Sequence, residues 1–171
     1  KKVNEVIRAS EVEAVIHCAA YTVVDAAEDQ VGFAMEVFAA RSFGHATLDI
    51  SDRHKTTSQR LISLSGAEDN RAKTYDVTQL LANPNTIVDS ATGLYAPTDA
   101  VLEMNCARSE IAAVAASSTS SNASTKSQTT SDDHSDDSRE QSLGMLASMI
   151  ADRVDLALDW GYPAFDEALF A

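Results

Sequence analysis

Apolar and polar positions alternate along this chain with a period that changes from segment to segment. Val3, Val6 and Ile7 recur at helical spacing around Asn4, Glu5 and Arg8, so residues 1 to about 10 read as the end of an amphipathic helix, in a chain that begins inside a unit. The run Ala14 to Ala20 follows. Its length and its Val and Ile content suit a strand buried on both faces of a parallel sheet, with His17 as a satisfied core histidine. Beyond Asp25, apolar residues at Ala27, Val31, Ala34 and Phe38 return every three or four positions, which predicts a helix covering one face of that sheet. Gly44 is placed to end it. Leu61 to Ser65 alternates like a strand end and stops at Gly66, and Val77, Leu80 and Leu81 predict a short helix. Thr86 to Asp89, after the turn signal Asn83-Pro84-Asn85, reads as a second short strand. Gly93 to Asp99 reads as a loop with Thr98 or Asp99 as the N-cap of a helix over about 100–116, whose face carries Leu102, Cys106 and Ala113.

Composition then shifts. From Ser117 to Ser142 there are ten Ser and four Thr and no Val, Ile, Leu, Met or aromatic residue, so burial there cannot offset the entropy of ordering. This segment is expected to be a disordered acidic linker. Leu143, Leu146, Ile150, Val154 and Ala157 then form one helical stripe that stops at Trp160-Gly161-Tyr162-Pro163. The expected organisation is an α/β domain over 1–116 with an incomplete Rossmann-like parallel sheet flanked by helices, a linker over 117–142, and a C-terminal amphipathic helical segment over 143–171. That last segment would dock on the core or engage a protein partner.

Charge narrows the partners. A formal net charge of -13 repels nucleic acid phosphates and anionic membrane surfaces. No apolar run approaches a bilayer's thickness, and Lys1-Lys2 lacks the apolar core of a signal peptide, so a cytoplasmic location is expected. Cys18 and Cys106 lie far apart and read as buried thiols. No metal site is expected: His45, Asp49, Asp52 and His54 match neither one helix face nor a common zinc spacing and read as solvated loop residues. The acidic tract Ser131 to Asp137 reads as solvated linker, and the sequon Asn122-Ala123-Ser124 carries no meaning in a cytoplasmic protein.

Three stretches also carry a resemblance. Val15 to Glu28 (VIHCAAYTVVDAAE), Tyr75 to Ala82 (YDVTQLLA) and Thr86 to Asp99 (TIVDSATGLYAPTD) resemble, in order, segments of the extended short-chain dehydrogenase/reductases in the branch that reduces dTDP-4-dehydrorhamnose. The resemblance implies an NAD(P)-dependent reductase of a nucleotide-sugar ketone, with NADP or NAD as cofactor and Ala19, Ala20 and Tyr21 beside it. It implies Tyr75 as the acid that protonates the substrate carbonyl and Ser65, or alternatively Ser63, as the hydroxyl that holds it. A Lys four residues after the Tyr normally lowers the phenol's pKa. Here Gln79 stands at that position, and Lys73 is not placed to substitute. None of the six glycines forms a GxxGxxG or GxGxxG turn, so the pyrophosphate cradle is missing. Two functions follow: a truncated or impaired reductase, or a non-catalytic relative used as a scaffold or regulatory subunit for a protein partner.

Overall fold

A computed structural model describes residues 18–65, 69, 71–122 and 134–163, with side chains over 24–64, 69, 71–115 and 143–163. The first element among the described residues is helix α1 (Cys18–Ala40), whose buried positions Val24, Glu28, Val31, Met35 and Phe38 repeat at alternating steps of four and three. One polar residue sits in the middle of that apolar stripe. The helix ends before Gly44 is reached, in a cap built by Ser42. Ser42 takes the left-handed conformation (φ 55°) and its amide donates to the Ala39 carbonyl at 3.1 Å, while the Phe43 amide donates to Phe38 at 3.0 Å. Those two bonds are the Schellman pattern. The Phe38 and Phe43 rings complete it edge to face, 5.7 Å apart, which supplies the apolar contact that accompanies such caps.

Helix α2 (Leu48–Ser65) starts on Thr47, whose Oγ1 accepts from the Ile50 amide, and carries Asp49 in its first turn, where a negative charge favours the helix dipole. Residues 61–65 are therefore the end of a helix and not the expected strand. Leu61 and Ile62 are buried as the last turns of a stripe that begins at Ser51, His54 and Ser58, while Leu64 faces solvent. Residues 18–20 are likewise helical, so the strand expected over 14–20 does not include them; its earlier part lies outside the described residues, as does the helix expected over 1–10. Helices α1 and α2 form an antiparallel hairpin in which Ser51 Oγ donates to the Gly32 carbonyl at 2.7 Å. Gly32 makes that approach possible. A Cβ there would lie 2.9 Å from Lys55 Cγ and 3.1 Å from both His54 Cβ and the Ser51 carbonyl.

A crossover then leads to the second pair. It contains helix α3 (Thr78–Ala82) and strands β1 (Thr86–Val88) and β2 (Tyr95–Pro97), which pair antiparallel with Ile87 opposite Ala96. The short helix and first strand match expectation. The segment 95–97 is a strand where a loop was expected, and the only sheet among the described residues is this two-stranded antiparallel one; the parallel Rossmann-like sheet is not present among them. Helix α4 (Thr98–Asn122) buries Ala100, Glu103, Cys106, Ala107, Glu110 and Ala113, and helix α5 (His134–Asp159) buries Leu146, Arg153 and Ala157. Helical backbone thus extends into both ends of the Ser-rich segment, over 117–122 and 134–142; residues 123–133 lie outside the described ones.

The four long helices among the described residues pack in sequence: α2 on α1, α1 on α4, α4 on α5. Val31 and Met35 meet Ala100, Val101 and Met104 at one end, and Val24 meets Leu61 and Ala113 at the other, so α1 and α4 run antiparallel. A buried carboxylate pins the crossover to this frame. Asp89 accepts from the Ala91 amide (3.0 Å), from Arg108 (2.8 Å) and from the Tyr162 hydroxyl, tying the β1–β2 turn to α4 and to the residues after α5. Burial alone would raise the Asp89 pKa, but the Tyr162, Ala91 and Arg108 bonds outweigh it and hold the carboxyl below its usual range. Ser42→Gly removes the cost of a left-handed non-glycine residue at an exposed cap, so it is expected to stabilise the fold by about 1 kcal/mol, seen as a higher midpoint in urea denaturation with an unchanged slope.

Candidate functional site

Each of the four long helices places one ionisable residue at the same level of the bundle. Glu28 comes from α1, His54 from α2, Glu103 from α4 and Arg153 from α5, and the first three are 0% exposed. His54 is the hub. Its Nδ1 lies 2.5 Å from Glu28 Oε2 and its Nε2 lies 2.9 Å from Glu103 Oε1, so both ring nitrogens face carboxylates. The Arg153 guanidinium donates from Nε and Nη2 to Glu28 at 3.1 Å, and its Nε stands 3.9 Å from Glu103 Oε2. One turn and two turns further along α4, Cys106 and Glu110 face the same centre.

The electrostatics follow from this closeness. Burial works to lower the His54 pKa, but hydrogen bonds to Glu103 and Glu28 prevail and raise it, and a carboxylate oxygen at each ring nitrogen suits the doubly protonated ring. Burial works in the opposite sense on Glu28, and His54 with Arg153 outweigh it and keep the carboxyl below its usual range. At Glu110 the attraction of Arg153 is outweighed. Burial, reinforced by the Glu28 carboxylate, pushes it up to about 9, and it therefore keeps its proton at neutral pH. Burial and the same glutamates drive the Cys106 thiol well above its ordinary value. Two carboxylates are thus matched by two cations, while an acid and a thiol beside them stay protonated.

The matching is incomplete. Both oxygens of Glu110, Oε2 of Glu103 and Oγ of Ser58 are buried without a hydrogen-bond partner. Buried polar groups are nearly always satisfied, and a buried ion pair seldom repays its desolvation, so this layer is not explained by stability alone. A donor set also emerges: a Glu28 oxygen, a His54 nitrogen and the Cys106 sulfur all lie within 4.8 Å of one another. Metal bonds of about 2.0 Å to N and O and about 2.3 Å to S hold ligand atoms about 3–4 Å apart. Side-chain rotation of about an ångström would close this set around one ion. Oxygen, nitrogen and sulfur together suit a borderline ion of the zinc or cobalt type rather than magnesium or calcium.

The residues expected from the sequence lie elsewhere. Tyr75 packs its ring 5.8 Å from Phe33 and donates its hydroxyl to Asp29 at 2.9 Å. Burial and that bond raise its pKa, the reverse of what a proton donor requires. Gln79 is exposed on α3, where its carbonyl serves the cap formed by Asn83, and no hydrogen bond joins it to Tyr75 among the described residues. Ser65 is the last residue of α2, and Ala19, Ala20 and Tyr21 lie in the first turn of α1; their side chains lie outside the described residues. Ser63 is exposed and bonds back to the Gln59 carbonyl at 2.9 Å. Of the histidine and aspartate group read as loop residues, Asp49 and Asp52 do face solvent, on a helix, whereas His54 is completely buried. His45 stacks on Trp160 at 5.5 Å and pairs with Asp99 at 3.0 Å.

Sequence reasoning passed over Glu28, Glu103, Glu110 and Arg153, although a spacing signal existed. Glu103 and Glu110 are seven apart on the Cys106 and Ala113 face, and Arg153 falls between Leu146 and Ala157 on the α5 stripe. Fold and centre together define a helical bundle with an ionic layer in its core. Compared with family models, with curated proteins and with solved structures, the chain finds no match in any of the three. No helix among the described residues is long and apolar enough to cross a membrane.

The layer makes folding pH-dependent. Glu110 keeps its proton when folded but loses it near 4.5 when unfolded, so the stability it contributes declines as pH rises from about 4.5 to about 9. His54 acts in the same direction, since a raised histidine pKa gives stability that is present below 6.5 and fades as pH climbs through the folded value. Glu110→Gln removes the first contribution while keeping the shape. At pH 8 it is expected to melt higher than the wild type, by on the order of 2–4 °C for each kcal/mol recovered, and the difference should vanish near pH 5.

Proposed function

We propose that this protein binds a divalent transition-metal ion in the core of its bundle, with Glu28, His54 and Cys106 as ligands and Glu103 and Glu110 as further carboxylates within reach. The observation that carries the reading is the convergence of those three donor types within 4.8 Å beside a buried carboxyl group that has no partner. A metal would supply a coordination partner for carboxyl oxygens that now accept no hydrogen bond. The proton inventory sets the pH dependence: the protons on His54, on the thiol of Cys106 and on the acid of Glu110 compete with an incoming ion, which must displace them.

Cobalt(II) titration of the full chain tests this directly. One equivalent is expected to give the visible and near-ultraviolet bands of a site with a thiolate ligand, and to raise the melting temperature. Each proton displaced steepens the pH dependence, so the dissociation constant should fall by about tenfold per proton and pH unit between pH 6 and 8. Cys106→Ser should remove the sulfur band and His54→Ala the binding itself. Absence of both bands and thermal shift in the wild type sinks the reading.

The reductase reading makes a separate prediction, saturable binding of NADPH or NADH that weakens in Tyr75→Phe, measured by cofactor fluorescence. Its support is the three ordered likenesses in the sequence, and it calls for a parallel sheet where the described strands form an antiparallel pair. The bound phenol of Tyr75 and the neutral amide of Gln79 weigh against it. A flat titration removes it without touching the metal proposal.

A further inference from the structure

The helices of the bundle pack as an open series, and the seam between α2 and α5 is left as a groove. Its walls are strongly acidic: Asp49 and Asp52 on α2 face Asp152, Asp155 and Asp159 on α5. The Arg53 guanidinium also lines it but is already engaged by Asp49 at 2.6 and 3.0 Å. Carboxylates in such a cleft focus a negative field that raises the local concentration of cations.

Arg153 joins this groove to the buried centre. It lines the groove floor, is 8% exposed, and holds Glu28 on its inner side. Among the described residues it is the one side chain common to both. Behind it, across 3.9 Å, lies Glu103, whose Oε2 is fully buried and has no hydrogen-bond partner. An unsatisfied carboxylate oxygen therefore stands just inside a positively charged residue that closes an acidic channel.

Building on the metal-binding reading, we propose that the α2–α5 groove is the entry path of the divalent cation and that Arg153 is its gate. As the ion takes Glu28, the guanidinium gives up that carboxylate and turns outward to the groove aspartates. One cationic partner of Glu28 thereby replaces another. Arg153 is thus a positioning residue and not a ligand.

Stopped-flow mixing of the full chain with cobalt(II), read at the thiolate band, separates path, gate and site. Asp52→Asn/Asp155→Asn alters two exposed side chains and is expected to slow association about tenfold at low ionic strength, with the dissociation rate unchanged and the deficit lost at high salt. Arg153→Lys keeps the charge but loses the two-pronged grip on Glu28, and is expected to associate several-fold faster than the wild type. If the aspartate variant loads at the wild-type rate at low salt while the band still forms, the path is wrong and the site stands. If Arg153→Lys loads no faster, Arg153 is not the gate. A wild type that shows no band removes the site and the gate together.

Discussion

Everything in this bundle is arranged around the placing of His54 between two carboxylates. The imidazole reaches Glu28 on α1 and Glu103 on α4 at once, and Arg153 on α5 closes the set. Coulomb attraction within a buried layer is strong, but so is the penalty of burying each partner alone, and such a layer is therefore stable only when complete. The close seat of α1 on α2 at Gly32 is what brings the ring within range, because a side chain there would press on His54 itself. A small residue and a charged one, four positions apart on α1, act as a single device.

The same layer explains what could be read from the sequence. Helices α1, α3, α4 and α5, strand β1 and the stop at Trp160 were legible because apolar spacing or turn residues mark them. Helix α2 was not, because its buried stripe opens with Ser51, His54 and Ser58, which are polar, and only Leu61 and Ile62 announce a core face. Those two, seen alone, resemble a strand end. The left-handed cap at Ser42 was missed for a related reason: Gly44 was the obvious candidate, yet the apolar contact between Phe38 and Phe43 fixed the cap two residues earlier. The candidate site was illegible since pattern analysis assigns Glu and Arg to the solvent side by default. Only the seven-residue step between Glu103 and Glu110 gave them away.

The crossover has its own anchor. Asp89 is buried, yet it is supplied with donors from a turn amide, Arg108 and Tyr162, and the Arg108 guanidinium lies 5.7 Å over the Tyr162 ring. Here a buried carboxylate is fully satisfied and acts as a fastener. Glu110, two residues beyond Arg108 on the same helix, is equally buried and its oxygens have no hydrogen-bond partner. Two acids in one fold with such different surroundings separate a structural role from one that leaves capacity in reserve.

The open order of packing also sets how the molecule comes apart. Release of α5 severs its face on α4, the Arg153 contacts, the Tyr162 fastening and the packing of Met145 and Met149 against the cluster of Val24, Leu61 and Ala113. The Arg153 contact with Glu28 ties that release to the ionic layer, so the amides of α5 sense the state of the core.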